Sequence, residues 1–340
     1  MFKLAVVIGR FSAPHLGHVK LVQAALDAAD HVLVLIGSSG EASVPRNPWS
    51  YLERVEMWEL AGLNYDDMRN RITIRPLHDH LYNNNAWIAE VQSCVNEIDH
   101  ENSVVVVGCD KDETSWYLKV FPQWKRLDPK VFTIDNEEVH ATTIREKYFL
   151  EQTIPSNLVP PQIETYLRRW MTTTKYENIR NEMLEAKAEA ERWAGSPYPV
   201  IFQTVDSVVV QSGHILLIQR GEFPQKGAWA LPGGYLNVNE TLLEGALREL
   251  DEETKIKVPK KVLEGSITKT KVYDYPKRSI RGRIITNAFL ISLKDDITLP
   301  KVKGSDDAKL AKWIPIVDVL NMRDQFFEDH YHIVRDMIDI

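Results

Sequence analysis

Cysteine is nearly absent from this chain: Cys94 and Cys109 are the only two in 340 residues, and they form no CxxC pair. That argues against a disulfide framework or a zinc knuckle and fits a reducing cytoplasm. Long basic runs are missing as well. With 41 Lys+Arg against 48 Asp+Glu the formal charge is −7, which speaks against non-specific nucleic-acid binding while leaving room for local basic pockets that take phosphates. No stretch approaches 18 uninterrupted apolar residues, so no membrane-spanning helix is expected. The opening MFKLAVVIGRF has too short an apolar run for a signal peptide and no small-residue cleavage site. A soluble cytoplasmic protein is the expectation, with no nucleic acid and no membrane among its partners. Internal repeats and low-complexity segments are also lacking. Oligomeric state is left open, a homo-oligomer included.

What is present is an apolar fraction of 44% with nine tryptophans, enough for sizeable cores in a chain whose length suits two domains. KLAVVIG (3–9) and HVLVLIG (31–37) are short, continuously apolar runs, as expected of strands buried on both faces. Between and after them helical patterns alternate with strands: helices from His18 to about Ala29, near 50–61 and near 85–99, and strands ITIRPL, SVVVVG and KVFTID. Such alternation implies βαβ units and a parallel sheet, an α/β fold whose ligands bind beyond the carboxyl ends of the strands. Residues 157–195 read as helical, and the charged stretch ending at Gly195 and Pro197 reads as a connecting helix. Beyond it TVDSVVV, HILLIQR, SITKTKVYDY and RIITNAFLISL are strands around one strong helix at 240–254, an α+β domain. The expected organisation is a first domain over 1–172, a helical linker over 173–199 and a second domain over 200–340.

GRFSAPHLGH (9–18) leaves the first strand and enters the first helix. Backbone N–H groups at a helix start make an anion site, and His15 and His18, three apart, can both reach a phosphate there. The pattern resembles the HxGH signature of the nucleotidylyltransferase superfamily. Pro14 directly precedes His15, whereas the family's proline usually lies one place earlier, where this chain has Ala13. VGCDKDETSWYLKVFPQW (107–124), HATTIR (140–145), RNPWSYLER (46–54) and YNNNAWI (82–88) resemble segments of archaeal-type nicotinamide mononucleotide adenylyltransferases. The resemblance covers residues 1 to about 170 and implies a Rossmann-like domain that transfers AMP from ATP.

In that chemistry the mononucleotide phosphate is already an anionic nucleophile, so the protein must position phosphates and neutralise charge rather than supply a nucleophile. The resemblance implies an ATP site of Gly9, Arg10, Phe11, His15, His18, Asp110, Thr142, Thr143 and Arg145, with His15, His18 and Arg145 stabilising the reaction and Mg²⁺ bridging the phosphates. It places the cationic nicotinamide ring on Trp87, which alone reads equally well as a core tryptophan. Asn84 and Asn85 would read the carboxamide and Arg46 a phosphate. Lys111, beside Asp110, falls at the same strand end.

In GGYLNVNETLLEGALRELDEETKI (233–256), Leu242, Leu243, Ala246, Leu247 and Leu250 recur at helical spacing and predict a buried stripe. Glu249, Glu252 and Glu253 stand at i, i+3 and i+4 on an adjacent face, while Asp251 points to solvent. Carboxylates that repel one another make sense if divalent cations neutralise them, and oxygen ligands suit Mg²⁺. Gly234, five residues, Glu240, seven residues, then Arg-Glu-Leu-x-Glu-Glu resembles the Nudix box. The resemblance implies hydrolysis of a nucleoside diphosphate joined to another moiety. Mg²⁺ (or Mn²⁺) would be held by Glu249, Glu252, Glu253 and the carbonyl of Gly234, with Arg248 and Glu240 as braces. The match departs once, where the family has glycine and this chain has Lys255. That glycine normally ends the helix in a left-handed conformation costing other residues about 1–2 kcal/mol, so either Lys255 carries the strain or the helix ends differently.

YPKRSIRGRIITNAF (275–289) and FFEDHYHI (326–333) resemble segments of Nudix proteins that handle ADP-ribose. By that resemblance Arg220, Arg278, Arg281 and Arg283 could meet the diphosphate, and Asp306 and Asp307 in GSDDAKLAKW (304–313) could supply the general base. Both halves in this order resemble bifunctional nicotinamide mononucleotide adenylyltransferase/Nudix hydrolases. The implied small-molecule substrates are ATP, nicotinamide mononucleotide and ADP-ribose. Two alternatives stay open: an NAD- or ADP-ribose-sensing regulator that binds without turnover, and an adenylyltransferase for another mononucleotide.

Overall fold

A computed structural model describes residues 1–63, 70–98, 103–110, 113–129, 132–134 and 137–340. It divides into two compact units, Met1–Asn181 and Glu182–Ile340.

In the first unit β1 (Phe2–Gly9), β2 (Ala29–Ile36), β3 (Ile72–Pro76), β4 (Val104–Val107) and β5 (Lys125–Leu127) form a parallel sheet in the order β3-β2-β1-β4-β5. Successive side chains of a strand point to opposite faces. In β1, Ala5 and Val7 therefore enter one core with Val22, Ala25 and Leu26 of α1 (Leu16–Ala28). Leu4, Val6 and Ile8 enter the other, with Val91 and Val95 of the helix Asn84–Asn96. Both faces are covered, which is why the strand reads as continuously apolar. Before that helix comes α2 (Tyr51–Trp58), started by a reciprocal cap in which Glu53 N–H donates to Ser50 Oγ and Ser50 N–H to Glu53. The helix Asn84–Asn96 is thus α3.

The segment KVFTID does not supply the fifth parallel strand. Thr133–Ile134 (β6) instead pairs antiparallel with Glu137–Glu138 (β7), while Lys130, Val131 and Asp135 lie outside the described residues. The edge position falls to Lys-Arg-Leu at 125–127, whose charged side chains suit an edge and hide it from an apolar search. The helices α4 (Ala141–Phe149), α5 (Pro161–Trp170) and α6 (Thr174–Trp193) follow. An aromatic cluster of Trp49, Tyr148, Phe149, Trp170 and Tyr176 fixes α4, with Tyr148–Phe149 centroids 4.8 Å apart and the Tyr148 hydroxyl donating to the Leu167 carbonyl at 2.7 Å. The division between the units falls inside α6.

The second unit holds a mixed sheet of β8 (Ile201–Gln211), β9 (His214–Arg220), β10 (Trp229–Ala230), β11 (Gly233–Tyr235), β12 (Ile267–Tyr273), β13 (Arg283–Ser292) and β14 (Ala308–Pro315). Helix α7 (Leu242–Thr254) packs on it through Ala246, Leu247 and Leu250. Thr241 and Glu244 cap its start reciprocally. At its end Lys255 takes φ 45°, ψ 36°, and its N–H donates to the Asp251 carbonyl at 2.9 Å. Lysine thus does the work of the usual glycine and carries the left-handed strain. Three short α-helices, α8 (Lys260–Gly265), α9 (Ile316–Val319) and α10 (His330–Met337), and a single 3-10 turn at Arg323–Gln325 complete the unit. Among the described residues no helix is long and apolar enough to cross a membrane.

Candidate functional site

The sheet order of the first unit reverses between β1 and β4, so the crevice at their carboxyl ends is the expected ligand site. The chain leaves β1 through Gly9, Arg10 and Phe11. Phe11 has φ 50° and folds its ring back so that a Cβ on Gly9 would lie 2.9 Å from it, which requires glycine there. His15 and His18 stack with centroids 3.6 Å apart. The His15 N–H donates to His18 Nδ1 at 3.4 Å. This hydrogen-bond pattern assigns the proton of a neutral His18 to Nε2, where it is a donor.

Arg145, in the second turn of α4, donates to the Ser12 carbonyl at 2.6 Å and to Thr142 Oγ1 at 3.2 Å. Burial, with Arg10 and Arg46 nearby, pulls its guanidinium down to about 9. Arg10 donates to the Arg46 carbonyl at 3.3 Å, so backbone oxygens help orient these side chains. Crowded, desolvated cations of this kind call for an anion. Thr142 and Thr143 are exposed in the first turn of the same helix. The crevice therefore brings together the arginines 10, 46 and 145 and Thr142, with the His15–His18 pair at the start of α1.

Around the segment YNNNAWI, Trp87 is half-buried. It packs on the second core and against Trp116 at 5.2 Å and Tyr117 at 6.2 Å, so the core reading holds for part of the ring. Asn84 and Asn85 are exposed at the start of α3, capped by Asn83. Glu90, one turn past Trp87, clasps the preceding loop: it accepts from His78 Nδ1 at 2.7 Å, His80 Nε2 at 2.5 Å and the His78 N–H at 3.0 Å. Asp110 is exposed after β4 and pairs with Lys119 at 2.9 Å and Arg126 at 3.2 Å. Lys111 lies outside the described residues.

In the second unit Arg248 lies among three carboxylates. It meets Glu240 at 2.6 Å and Glu249 and Glu252 at 2.8 Å each. Arg248 pulls the Glu240 carboxyl down to about 2. Glu253 is buried, accepts the Gly233 N–H at 2.8 Å, and is pushed up to about 8 by burial and by the charges of Glu249 and Asp206. Burial raises Glu249 as well, helped by Glu252 and Asp306. A Cβ on Gly234 would lie 2.6 Å from the Glu249 carboxylate, so only glycine lets that acid approach the β11 backbone. Asp251 is solvated, as expected.

The three glutamates share one helix, but among the described residues no three acids or imidazoles converge as a ready coordination group. The physical reason is Arg248, which bonds Glu249 and Glu252 as their counter-ion. A desolvated surplus of carboxylates beside a glycine-lined backbone still fits a hard divalent cation, which would have to draw Glu249 and Glu252 away from the guanidinium.

Around this cluster, Arg220 lies 4.0 Å over the Phe327 ring and donates from Nε to the Pro224 carbonyl. Arg281 lies 5.3 Å over the same ring and 5.7 Å over Tyr235, and pairs with Glu328 at 3.3 Å. Arg278 is different. Its side chain is 2% exposed and spends both prongs on Asp329, at 2.9 and 2.7 Å, so it braces the loop before α10. Arg283 donates to the Asp274 carbonyl. Asp306 and Asp307 are exposed just before β14, and the Asp307 carbonyl accepts the Gly221 N–H at 2.8 Å.

The Cytidylyltransferase-like family profile matches residues 6–149, and the NUDIX domain profile matches 202–337. A nicotinamide/nicotinic acid mononucleotide adenylyltransferase from Acinetobacter baylyi is 31% identical over 182 residues, 53% of this chain and 93% of that protein. An ADP-ribose pyrophosphatase from Methanocaldococcus jannaschii is 38% identical over 133 residues, 39% of this chain and 70% of its own. A bifunctional NMN adenylyltransferase/ADP-ribose pyrophosphatase from Francisella tularensis, solved with AMP and a manganese ion, is 32% identical. It covers 100% of this chain and 99% of its own, with a TM-score of 0.93. The chain belongs to the bifunctional NMN adenylyltransferase/ADP-ribose pyrophosphatase family.

Sequence reasoning passed over three residues of these adenylyltransferase and Nudix halves. Arg54, fully buried in the adenylyltransferase half, donates to the carbonyls of Arg10 at 2.8 Å, Gly37 at 2.6 Å and Ser38 at 3.2 Å, bracing the loops that leave β1 and β2. In the Nudix half, His330 Nδ1 accepts the Leu231 N–H at 3.0 Å and holds the approach to Gly233 and Gly234. Phe327 carries the two half-buried arginines. Arg54 closes the noted segment RNPWSYLER, and Phe327 and His330 lie inside FFEDHYHI, but their partners are distant in the chain, so no spacing shows what they do.

Proposed function

We propose that the first unit transfers AMP from ATP to nicotinamide mononucleotide, releasing pyrophosphate and NAD, and that the second hydrolyses ADP-ribose to AMP and ribose 5-phosphate. The observation that carries this reading is the pair of crowded like-charge clusters, cationic around buried Arg145 and acidic around buried Glu253. The domain limits that go with it are 1–172 and 200–340.

In the first reaction a phosphate oxygen of the mononucleotide attacks the α-phosphorus of ATP. The bond to the bridging oxygen of pyrophosphate breaks, and negative charge spreads over the phosphoryl oxygens. His18 Nε2–H, His15, Arg145, Thr142 and Thr143 would stabilise that charge. Gly9, Arg10, Phe11 and Asp110 would line the ATP site. Trp87 would offer a ring face to the cationic nicotinamide, Asn84 and Asn85 would bind its carboxamide, and Arg46 its phosphate.

In the second reaction Arg220 and Arg281 would hold the diphosphate, while Arg278 keeps in place the loop before α10, on whose Phe327 both lie. Glu249, Glu252, Glu253 and the Gly234 carbonyl would hold Mg²⁺ or Mn²⁺, which when bound supplies charge neutralisation and a more acidic water. Asp306 or Asp307 would take the proton of the attacking water. Asp306 is the better placed, since its charge already acts on Glu249.

The test is product analysis of the full chain with Mg²⁺. Nicotinamide mononucleotide and ATP are expected to give NAD and pyrophosphate, and ADP-ribose to give equal AMP and ribose 5-phosphate. ADP-ribose bound without AMP release would turn the second unit into a sensor. Faster turnover of another mononucleotide would reassign the first.

A further inference from the structure

Glu182 lies upstream of the residues matched by the Nudix profile, yet it belongs to the second unit and is 5% exposed. One carboxylate oxygen accepts the Gln225 N–H at 3.0 Å, and the other is buried without a hydrogen-bond partner. Gln225, at φ 53°, passes the connection on: its side-chain oxygen accepts the Glu328 N–H at 2.9 Å. Glu328, at φ 44°, then accepts from Ser279 and from Arg281. Next to Glu328 is Phe327, which carries both Arg220 and Arg281. Next to Gln225 is Pro224, whose carbonyl takes the Arg220 Nε–H at 3.0 Å. Both loops that present the arginine pair are therefore anchored through one acid on α6.

We propose that Glu182 is a positioning residue of the ADP-ribose site, holding the Gln225 and Glu328 loops so that Arg220 and Arg281 face the diphosphate, and that its ionisation weakens substrate binding. The inference rests on reading this site as the diphosphate site. The charged groups acting on Glu182 are Glu185 from its own helix, Glu328 from the loop before α10 and Arg220 from the end of β9, with Arg281 reached through Glu328. Burial, with Glu185 and Glu328, pushes the carboxyl up to about 7. Below that pH it is neutral and still accepts from Gln225. Above it, a second negative charge beside Glu328 offsets the arginines that take the substrate.

The experiment is steady-state ADP-ribose hydrolysis by the full-length wild type, Glu182→Gln and Glu182→Ala between about pH 6 and about pH 9. Glu182→Ala is expected to raise KM about tenfold with kcat within about twofold. Glu182→Gln, which keeps the acceptor and cannot ionise, should restore the low KM and abolish its rise above neutrality. NAD synthesis by the same preparations should not change. Wild-type KM in the alanine variant, or a glutamine variant that follows the wild-type pH profile, would overturn the proposal. So would a loss confined to kcat that glutamine does not rescue. Glutamine carries the test alone if the alanine variant is poorly folded. A wild type that releases no AMP strikes the reading of the site itself, whereas an active wild type matched by both variants strikes only Glu182.

Discussion

At Arg145 in the first unit, burial and the neighbouring Arg10 and Arg46 pull a guanidinium down to about 9. At Glu253 in the second, burial and the neighbouring Glu249 and Asp206 push a carboxyl up to about 8. The two sites share one physical design with opposite sign. Like charges are crowded where water cannot screen them, and the sign of the surplus names the sign of the ligand. They differ in readiness. The arginines of the first site are oriented by backbone oxygens such as the Ser12 and Arg46 carbonyls. The acids of the second carry an internal counter-ion, Arg248, that a metal held by Glu249 and Glu252 would have to displace.

The comparison breaks most visibly if the cationic site is disarmed. Arg145→Met should lower kcat/KM for NAD synthesis by roughly 10²–10³-fold, the range for losing one preorganised donor to a developing oxyanion. ADP-ribose hydrolysis should be unchanged in the same steady-state assays.

A smaller effect separates the acidic site by pH. The folded value of Glu253 is raised from 4.5 to about 8. The stability associated with keeping it neutral is therefore present below about 4.5 and lost as pH rises through about 8. In chelator, denaturant melts should show wild type losing on the order of 3 kcal/mol relative to Glu253→Gln between about pH 5 and about pH 9. Parallel curves for the two proteins would remove the electrostatic argument for this site.

Gly234→Ala should slow hydrolysis by roughly 10–100-fold while sparing NAD synthesis. The added Cβ displaces Glu249 by a fraction of an ångström to an ångström, and misplacement of that order carries such a cost. The smallest expected change is in Lys255→Gly. Relief of left-handed strain, about 1–2 kcal/mol, is offset by roughly 0.4–1 kcal/mol of extra unfolded-state freedom. A net gain of about 0.5 kcal/mol should appear as a slightly higher Tm with hydrolysis intact.

How legible each part was in the sequence follows from how local its cause is. β1 and β2 announce themselves because burial on both faces leaves no polar position between Leu4 and Ile8 or between Val32 and Ile36. Glu249, Glu252 and Glu253 are legible because one helix sets their spacing. The edge strand Lys125–Leu127 is not, since its charges suit its exposure. Arg278 seemed one more basic residue on a ligand loop, and only its pairing with Asp329, 51 residues away, shows that its charge is already spent. Arg54 and Glu182 act through partners 44 and 43 residues distant, at Arg10 and Gln225, and no periodicity records that. Arg248 was legible as a brace, but not as the cation occupying the place between two metal-ligand candidates.

On this reading two independent sites of opposite charge lie in one chain. The most direct measurement assays both reactions side by side on wild type, His18→Ala and Glu253→Ala, with circular dichroism confirming that each protein is folded. His18→Ala is expected to lose NAD synthesis and keep ADP-ribose hydrolysis, and Glu253→Ala to do the reverse. A folded variant in which either substitution abolishes both activities would contradict the account.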